Sequence, residues 1–513
     1  MLSIELSAKK FWDSESEGYI FLVKEGYVSA SDIASLDPLK QFMCPHFTEQ
    51  LKNHLFEGKR GQTFVMGNMH NGALAFYVFV GLGKLEEAWH IELEHMRRAI
   101  ASATHQLKKY SIKSALLALP DEKPFHISDT ELLKQIAIAV HMASYEFTTF
   151  KSDKKDKVWD GKIVIAINPQ LDKAAYTHSL AQANIIGNSI NQARHWADLP
   201  ANHLTPTVLA AEAEKIAKKY NLPCTVFGRE KALELGMGGF CAVDVGSDQD
   251  GKFIIMEYKT KEEKAPTIVL VGKGVVFDTG GINLKPTSGI ESMKYDMSGA
   301  AAVIAMLGAC AQIQPSINVI GIAPCVENMP SGKATRPDDI ITCMNGKTVE
   351  IKNTDAEGRL ILADALCYAE KYYNPDIIFD IATLTGAVSY ALGHFYTGLL
   401  TKDEQLISIL GQLGKKTGDR IWPLPMDDDF KEAIKSDIAD IHNNGHPGYL
   451  AGTIIGGIFL QNFVSKARWA HLDIAGTAYH VTGVNYLGKG ATGAAIRLLM
   501  EFIGKYNTHT AQK

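Results

Sequence analysis

The sequence predicts a two-domain α/β protein: a smaller N-terminal α/β domain and a larger C-terminal domain with a central, mostly parallel sheet flanked by helices. Three observations support this prediction. The length of 513 residues exceeds one domain of about 150 residues. Continuous apolar runs, typical of strands covered on both faces, alternate with helical patterns. The hydrophobic content of 46% supplies enough apolar material for a large core.

Composition and charge exclude several classes of protein. A net charge of −5 argues against nucleic acid or an anionic membrane as the main partner, since both usually require a basic face. The first eighteen residues, MLSIELSAKKFWDSESEG, lack the apolar segment of a signal peptide. Seven widely spaced cysteines without a CxxC pair indicate free thiols in a reducing compartment. We therefore expect a soluble, cytoplasmic protein.

The N-terminal domain is predicted to cover residues 1–172 and to contain both strands and helices. Apolar runs predict strands at 73–83, 114–120 and 162–168, and the 86–110 segment has helical periodicity with a basic end. The lysine-rich segment 152–157 is expected to be a solvated loop. A boundary near 169–177 leads into a linking helix, 173–198, which ends at the proline-containing LPANHLTP.

The larger domain, residues 199–513, carries the strongest sheet signal. Apolar runs at 267–277, 317–326 and 376–384 predict core strands of a parallel sheet. The apolar segment Ser298–Ile313 is too short to span a bilayer, so it is predicted to be a buried helix. Sites in such folds form at the carboxyl ends of the strands. Functional residues are therefore expected just after each run.

Charged residues do follow these runs. In NTDAEGRL, three of them occupy alternate positions, and alternate side chains share one face of an extended chain. Neighbouring buried carboxylates are costly without a cation between them. Four acids near core strands therefore indicate divalent cations, and two metals about 3.5–4 Å apart can share bridging acids and activate a water. The charged residues in question are Lys273, Asp278, Lys285, Asp296, Asp355, Glu357 and Arg359.

Several of these residues also have simpler interpretations. NTDAEGRL alone is compatible with a surface strand and a salt bridge, and Lys285 alone with a solvated loop. Lys273 lacks the GxxxxGK[ST] spacing of a phosphate loop. Asp296 can cap a helix and bind a metal at once. His442 and His446 in HNNGH lie in a glycine-broken loop without an HExxH glutamate, so they are not expected to bind zinc.

Four segments, VGKGVVFDTGGINLK, MKYDMSGAAAV, ATRPDDIITCMNGKTVEIKNTDAEGRL and WAHLDIAGTA, resemble the signatures of the leucine (cytosol) aminopeptidase family, the dimetal M17 metallopeptidases. The resemblance covers roughly residues 184–499. It implies that Lys273, Asp278, Asp296 and Glu357 bind one metal. Asp278, Asp355 and Glu357 would bind the other. A lysine ligand must be neutral, so the dications would have to lower its pKa.

The resemblance also implies the roles of the remaining site residues. Lys285 would polarise the scissile carbonyl, and Arg359 would hold a bicarbonate that shuttles protons. A metal would bind the free α-amine of the substrate, which restricts cleavage to the N-terminal residue. Leucine-like first residues are expected, with broad specificity because apolar pockets discriminate weakly. The pocket implied by the family consists of Met293, Thr383, Leu384, Gly386, Ala475 and Ala478.

The cofactors implied are two divalent ions per subunit and bicarbonate. Mn²⁺ or Zn²⁺ is expected, and Mg²⁺ or Co²⁺ is also compatible with oxygen and amine ligands. The family resemblance further implies a homohexamer, a dimer of trimers, acting on peptides. Two alternatives remain open: a two-metal phosphoesterase, which uses the same carboxylates, and DNA binding in addition to peptidase activity.

The sequence departs from the family pattern at several positions away from the predicted ligands. Asp338 stands where the family usually has glycine, and aspartate tolerates positive φ better than most residues. Gly456 and Gly457 replace typical alanines in a predicted helix near the mouth of the active site. None of these changes removes a predicted ligand, so we expect an active enzyme.

Overall fold

The structure, a computed structural model, describes residues 2–9, 15–26, 49–51, 53–70, 72–120, 123–152, 159–167 and 172–510, with 507–510 as backbone alone. Cys44 and most of the predicted loop at 152–157 lie outside the described residues, as do residues 168–171. The chain divides into two compact units. The N-terminal unit is 1–188 with 482–488, and the C-terminal unit is 189–481 with 489–513.

The N-terminal unit is built on a six-stranded sheet in the order β1-β6-β5-β2-β4-β3. Every neighbouring pair is parallel except β3 and β4. The predicted strands at 73–83, 114–120 and 162–168 are confirmed where the chain is described. The strands are β1 (Ser3–Ser7), β2 (Gly18–Lys24), β3 (Thr63–His70), β4 (Ala73–Gly83), β5 (Ser114–Ala118) and β6 (Lys162–Ala166).

In the described part of this unit, two long helices accompany the sheet, and a third helix continues from one unit into the next. The predicted helix at 86–110 is α1 (Trp89–Lys109), with Glu92 in its first turn and two lysines in its last, as the helix dipole favours. Ser128 caps α2 (Asp129–Ser144) by accepting from the backbone N–H of Glu131. The long helix α3 (Lys173–Asp198) ends at the proline-containing break predicted from the sequence.

The C-terminal unit contains a nine-stranded sheet in the order β16-β15-β18-β14-β9-β11-β8-β7, with β10 also paired to β11. Its centre, β18-β14-β9-β11, is parallel, whereas β7, β8 and the β15–β18 pair are antiparallel. The strands are β7 (Cys224–Phe227), β8 (Lys252–Tyr258), β9 (Thr267–Gly272), β10 (Gly274–Asp278), β11 (Asn318–Asn328), β14 (Ile377–Ala382), β15 (Thr397–Leu400), β16 (Ile421–Pro423) and β18 (Arg468–Asp473).

One strand prediction is wrong in detail. The run at 267–277 is not a single strand, because Lys273 interrupts it between β9 and β10. Strand β9 pairs with the first half of β11, and β10 pairs with its second half. The break therefore places a lysine at a strand end in the middle of the sheet.

A separate three-stranded sheet lies in the same unit: β12 (Ile340–Thr342), β13 (Thr348–Glu350) and β17 (Ile441–His442). Asp338 precedes it with φ of 71°. This turn therefore has left-handed backbone, which aspartate tolerates better than most residues.

Helices cover both faces of the large sheet, as predicted. Gly321 of β11 faces Leu307 and Val303 on one side, whereas Ile320 shares a core with Leu366 on the other. The helices are α4 (Pro206–Tyr220), α5 (Arg229–Glu234), α6 (Gly238–Asp244), α7 (Thr287–Ile290), α8 (Ser298–Ile313), α9 (Gly358–Tyr373), α10 (Ala387–Leu392), α11 (Glu404–Thr417), α12 (Gly452–Gln461) and α13 (Ile496–Thr510).

The predicted buried helix is α8, whose residues from Gly299 to Cys310 are all buried. The segment Thr287–Ile313 is long and apolar enough to cross a membrane, but most of its apolar window is buried inside the protein. The six cysteines that the structure describes are free thiols.

Candidate active site

Lys273 lies at the junction of β9 and β10, where its backbone is fixed on both sides. Its N–H donates to the carbonyl of Ile381 (3.0 Å), and its carbonyl accepts from Ala300 (2.9 Å). The side chain is 3% exposed. Its Nζ contacts Asp296 Oδ2 and Glu357 Oε1, both at 2.8 Å, and donates to the carbonyl of Thr383 (3.0 Å). One ammonium group therefore joins two acids from distant parts of the chain.

Asp278 is the last residue of β10 and pairs with Asn328, the last residue of β11. Asn328 Nδ2 donates to Asp278 Oδ1 (2.8 Å) and to the carbonyl of Thr354 (3.0 Å). The opposite oxygen, Asp278 Oδ2, lies 2.8 Å from Lys285 Nζ, which also contacts Asp355 Oδ1. Asn328 thus connects the end of β10, which carries Asp278, to the turn that carries Asp355.

The NTDAEGRL segment is not extended, so the expectation of a single face on a strand is wrong. Thr354 and Asp355 form a turn, and Glu357 has helical dihedral angles (φ −82°, ψ −36°) directly before α9. A Cβ at Gly358 would lie 2.5–2.7 Å from the Lys273 side chain. The glycine of this motif is therefore required for Lys273 to pass beside the start of the helix.

Five of the predicted residues converge despite this different backbone. Among the described residues, Asp278, Asp355 and Glu357 form a group whose ligand oxygens all lie within 4.8 Å of one another. Asp296 joins them through Lys273. Three buried carboxylate oxygens have lysine ammonium groups as their contacts: Asp296 Oδ2, Asp355 Oδ1 and Glu357 Oε1. Buried carboxylate oxygens that face positive charge in this way fit the requirements of a hard divalent cation.

The electrostatics indicate the same ligand. Burial raises the pKa of Asp296 well above its ordinary value, and the nearby acids add to this effect. Burial and the charge of Asp278 likewise raise the pKa values of Glu357 and Asp355. Crowded carboxylates of this kind ionise readily only beside positive charge. A divalent cation would supply that charge.

The pKa values of the two lysines are also raised, which favours the charged form of a lysine. Burial lowers the pKa of Lys273, but the carboxylates of Asp296, Glu357 and Asp278 outweigh it and raise the pKa above the usual range. The same balance, with Asp278 as the largest opposing charge, raises the pKa of Lys285. Each ammonium group therefore lies between two carboxylates, a position that favours a cation.

Arg359 is 5% exposed, and its Nη1 donates to the carbonyl of Asn443 (2.8 Å). Burial lowers its pKa to about 10, with Glu357 and Asp473 opposing, so the guanidinium stays charged near neutral pH. Arg359 Nε is buried without a hydrogen bond. The arginine can thus offer a donor to an anion, as the resemblance implies.

The two histidines of HNNGH contact each other, with ring centroids 4.3 Å apart, and do not belong to the carboxylate group. One of the three residues between them, Asn443, has a role that the sequence does not predict. Its amide donates to the carbonyl of Asn353 (2.7 Å) and accepts from the backbone N–H of Lys352 (2.8 Å). Asn443 therefore holds the segment that leads into the NTDAEGRL turn.

The residues of the predicted substrate pocket lie on several loops. Met293 belongs to the 3₁₀ helix Met293–Met297 that carries Asp296. Leu384 and Ala475 follow β14 and β18, and their backbone N–H groups donate to the same atom, Asp473 Oδ1 (3.1 and 3.2 Å). Gly386 is exposed. Asp473 therefore joins two of the loops that carry the predicted pocket.

Two residues of the predicted pocket are more buried than expected for side chains that line a substrate pocket. Thr383 is 7% exposed, and its Oγ1 donates to Asp296 Oδ1 (2.7 Å). It therefore orients a predicted metal ligand. Ala478 is 1% exposed. Both remain predictions as pocket residues.

Sequence reasoning missed the polar residues that hold the site together, namely Asn328, Asn443 and Asp473. Each lies at the end of a strand or beside one, but only contacts distant in sequence reveal its role. Their position in the sequence could have identified two of them, because Asn328 and Asp473 stand at the ends of apolar runs, as the predicted ligands do. Residue type gave no further indication.

Comparisons with known proteins agree with this geometry. A model of the cytosol aminopeptidase family, catalytic domain, matches residues 191–500. A model of the cytosol aminopeptidase family, N-terminal domain, matches residues 32–154. Together they account for more than half of the chain.

Individual proteins show the same similarity. A "Probable cytosol aminopeptidase" from Nitrosomonas eutropha is 41% identical over 463 residues, which are 90% of this chain and 91% of that protein. One from Chlorobaculum parvum is 43% identical over 430 residues, 81% and 84% of the two chains. A solved structure, the bottromycin maturation enzyme BotP in complex with Mn, superposes with a TM-score of 0.83 at 28% identity, covering 96% of this chain and 100% of that one.

Proposed function

Because the chain belongs to the cytosol aminopeptidase family and is a metal-dependent aminopeptidase, we propose that it releases N-terminal leucine or another apolar residue from peptides with two divalent cations. One observation carries this proposal. Asp278, Asp355 and Glu357 gather their ligand oxygens within 4.8 Å of one another, and Lys273 connects Glu357 to Asp296. Separate loops thus deliver acids to one place, where only cations make their proximity favourable.

The ligands divide into two overlapping sets. Lys273, Asp278, Asp296 and Glu357 would hold one ion, and Asp278, Asp355 and Glu357 the other. Two bound divalent cations supply an acidified water as nucleophile and polarise the scissile carbonyl. Asn328 and Thr383 support this assignment, since each donates to one oxygen of a proposed ligand and thereby orients the other oxygen, which contacts a lysine of the cluster.

Lys285 would donate to the oxygen of the scissile carbonyl as negative charge develops there. Its Nζ already lies between Asp278 and Asp355, so it is close to both proposed ion positions. A fixed positive donor in a buried site stabilises an oxyanion more than it would in water. Burial lowers the pKa of Lys285, but the carboxylates of Asp278, Glu357 and Asp355 outweigh it and favour the charged form of the donor.

Arg359 would bind bicarbonate through its guanidinium, which presents parallel donors to a planar oxyanion. Its own proton is not available at neutral pH, so the bound anion and not the arginine would shuttle protons. Arg359 Nε, buried without a hydrogen bond, supports a role in anion binding.

Exopeptidase specificity would follow from the substrate's α-amine, because an internal peptide bond has no amine to occupy a ligand position. The first side chain would lie against Met293, Leu384, Gly386 and Ala475. These residues are small or apolar, which favours leucine-like residues and separates one methylene from another only weakly, by about 1–3 kcal/mol.

The proposal is tested by comparing the hydrolysis of leucyl-p-nitroanilide and p-nitrophenyl phosphate, with Mn²⁺, Zn²⁺, Mg²⁺ or Co²⁺ added after chelation. We expect metal-dependent release of p-nitroaniline and no phosphatase activity. A substrate whose α-amine is acetylated serves as control and should not be cleaved. Phosphatase activity without peptidase activity would refute the proposal.

We further propose that the enzyme is cytoplasmic and assembles as a homohexamer, as the family resemblance implies. Light scattering coupled to gel filtration measures the number of subunits. Six subunits are expected, and a stable monomer with full activity would contradict the assembly.

A further inference from the structure

Helix α12 contains adjacent glycines, Gly456 and Gly457, and both are buried. Glycine within a helix is less favourable than alanine, because it loses more backbone entropy on folding. A buried pair therefore indicates that neighbouring groups come too close for a methyl group. The two glycines have different neighbours, and those of Gly456 include Arg359 of the proposed active site.

A Cβ at position 456 would lie 3.0 Å from Leu384 Cδ2, 3.3 Å from Thr385 Cγ2 and 3.6 Å from Arg359 Nη2. Carbon–carbon contacts are favourable at about 3.5–4.0 Å, so the first two neighbours would have to move. The contact with Arg359 is an ordinary one, so the guanidinium would not be displaced.

Thr385 cannot move easily. Its hydroxyl donates to Asp473 Oδ2 (2.7 Å) and lies 2.9 Å from the hydroxyl of Thr453. The backbone of Leu384 is also held, since its N–H donates to Asp473 Oδ1 (3.1 Å). The side chain of Leu384, which is partly exposed, is therefore the group free to shift, and it would shift away from the helix.

We propose that Gly456 determines the depth of the pocket for the first residue of the substrate. Without a methyl group at this position, Leu384 lies against α12 and leaves space for large apolar side chains. A methyl group would push Leu384 into that space. This inference rests on the proposed function, because it requires Leu384 to line the pocket.

The test compares kcat/KM of the wild type and Gly456→Ala, loaded with Mn²⁺, for the p-nitroanilides of alanine, leucine and phenylalanine. We expect the ratio of phenylalanine to alanine to fall about tenfold, mainly through KM, with kcat for alanine unchanged within twofold. Gly411→Ala is the matched control: it is also a helix glycine, in α11, and a Cβ there would meet nothing within 4 Å. Its ratio should equal that of the wild type.

Two further variants make the result decisive. In Leu384→Ala the nearer contact atom, Leu384 Cδ2, is absent, so adding Gly456→Ala should leave the ratio unchanged. Because the double variant lacks this contact, it keeps the inference testable even if Gly456→Ala alone does not fold. An unchanged ratio in Gly456→Ala, an equal loss on all three substrates, or a difference between Leu384→Ala and the double variant would overturn the inference. If the wild type cleaves none of the three substrates, the proposed function fails instead.

Discussion

Replacing Asn328 with alanine is expected to weaken metal binding, because this residue orients Asp278 without being a ligand itself. Asn328 Nδ2 donates to Asp278 Oδ1 (2.8 Å) and to the carbonyl of Thr354 (3.0 Å). Asn328 is 5% exposed, so water cannot readily replace its amide. The substitution removes one of two donors to Asp278 Oδ1 and leaves only the backbone N–H of Gly280 (2.9 Å) to orient this carboxylate.

The magnitude follows from the two hydrogen bonds. A bond to a charged group contributes about 1.5–3 kcal/mol and a neutral one about 0.5–1.5 kcal/mol. The variant should therefore be destabilised by roughly 2–4.5 kcal/mol. Loss of a partner that orients a metal ligand typically reduces affinity about 10–100-fold.

Metal affinity is measured by calorimetric titration of Mn²⁺ into chelator-treated protein, and stability by urea denaturation. Asn318→Ala is the matched control, since Asn318 begins the same strand and its amide donates to Ala265 and Thr267 (both 3.3 Å), away from the site. It should lose stability but keep wild-type affinity. If the two variants bind Mn²⁺ equally well, Asn328 does not position Asp278.

Three further outcomes are expected. Lys285→Met should lower kcat for leucyl-p-nitroanilide about 10²–10³-fold without loss of bound metal, and wild-type kcat would exclude Lys285 from oxyanion stabilisation. Asp473→Ala should raise KM for the same substrate, because it leaves the N–H groups of Leu384 and Ala475 unpaired at about 1–3 kcal/mol each; an unchanged KM would show that Asp473 does not shape the pocket. Burial raises the pKa of Asp364 from 3.8 to about 7, so the folded state retains a proton that the unfolded state releases between these values. The free energy of unfolding should therefore fall as pH rises through this window, by up to about 1.4 kcal/mol per pH unit, and urea denaturation at pH 5 and 8 should show a weaker dependence in Asp364→Asn.

Much of the fold could be predicted from local patterns. Helix α8 is continuously apolar, and strands β4 and β14 carry runs that only a buried strand or helix tolerates. The antiparallel strands β7, β8 and β15 could not be assigned from such runs, because direction in a sheet depends on partners distant in the chain. The break at Lys273 between the two strands within 267–277 could not be predicted either, since one lysine in an apolar run does not indicate the end of a strand.

The same limit applies to the site. The carboxylates of Asp355 and Glu357 identify them as candidate ligands in the sequence, and the structure places both in the predicted cluster. They reach it from a turn and the start of a helix, not from an extended strand. An alternating pattern of three residues is too short to distinguish these conformations. Asn443 holds the segment before this turn from 90 residues away, and no local pattern reveals such a contact.

The most direct test of the two-cation site is the metal content of the purified protein, measured by mass spectrometry alongside the activity of Glu357→Ala. We predict about two divalent ions per subunit in the wild type. Glu357 is proposed to be shared by both ions, so the variant should lose nearly all turnover and at least one ion. A fully active wild type with fewer than two ions, or a Glu357→Ala variant with wild-type turnover, would contradict the account.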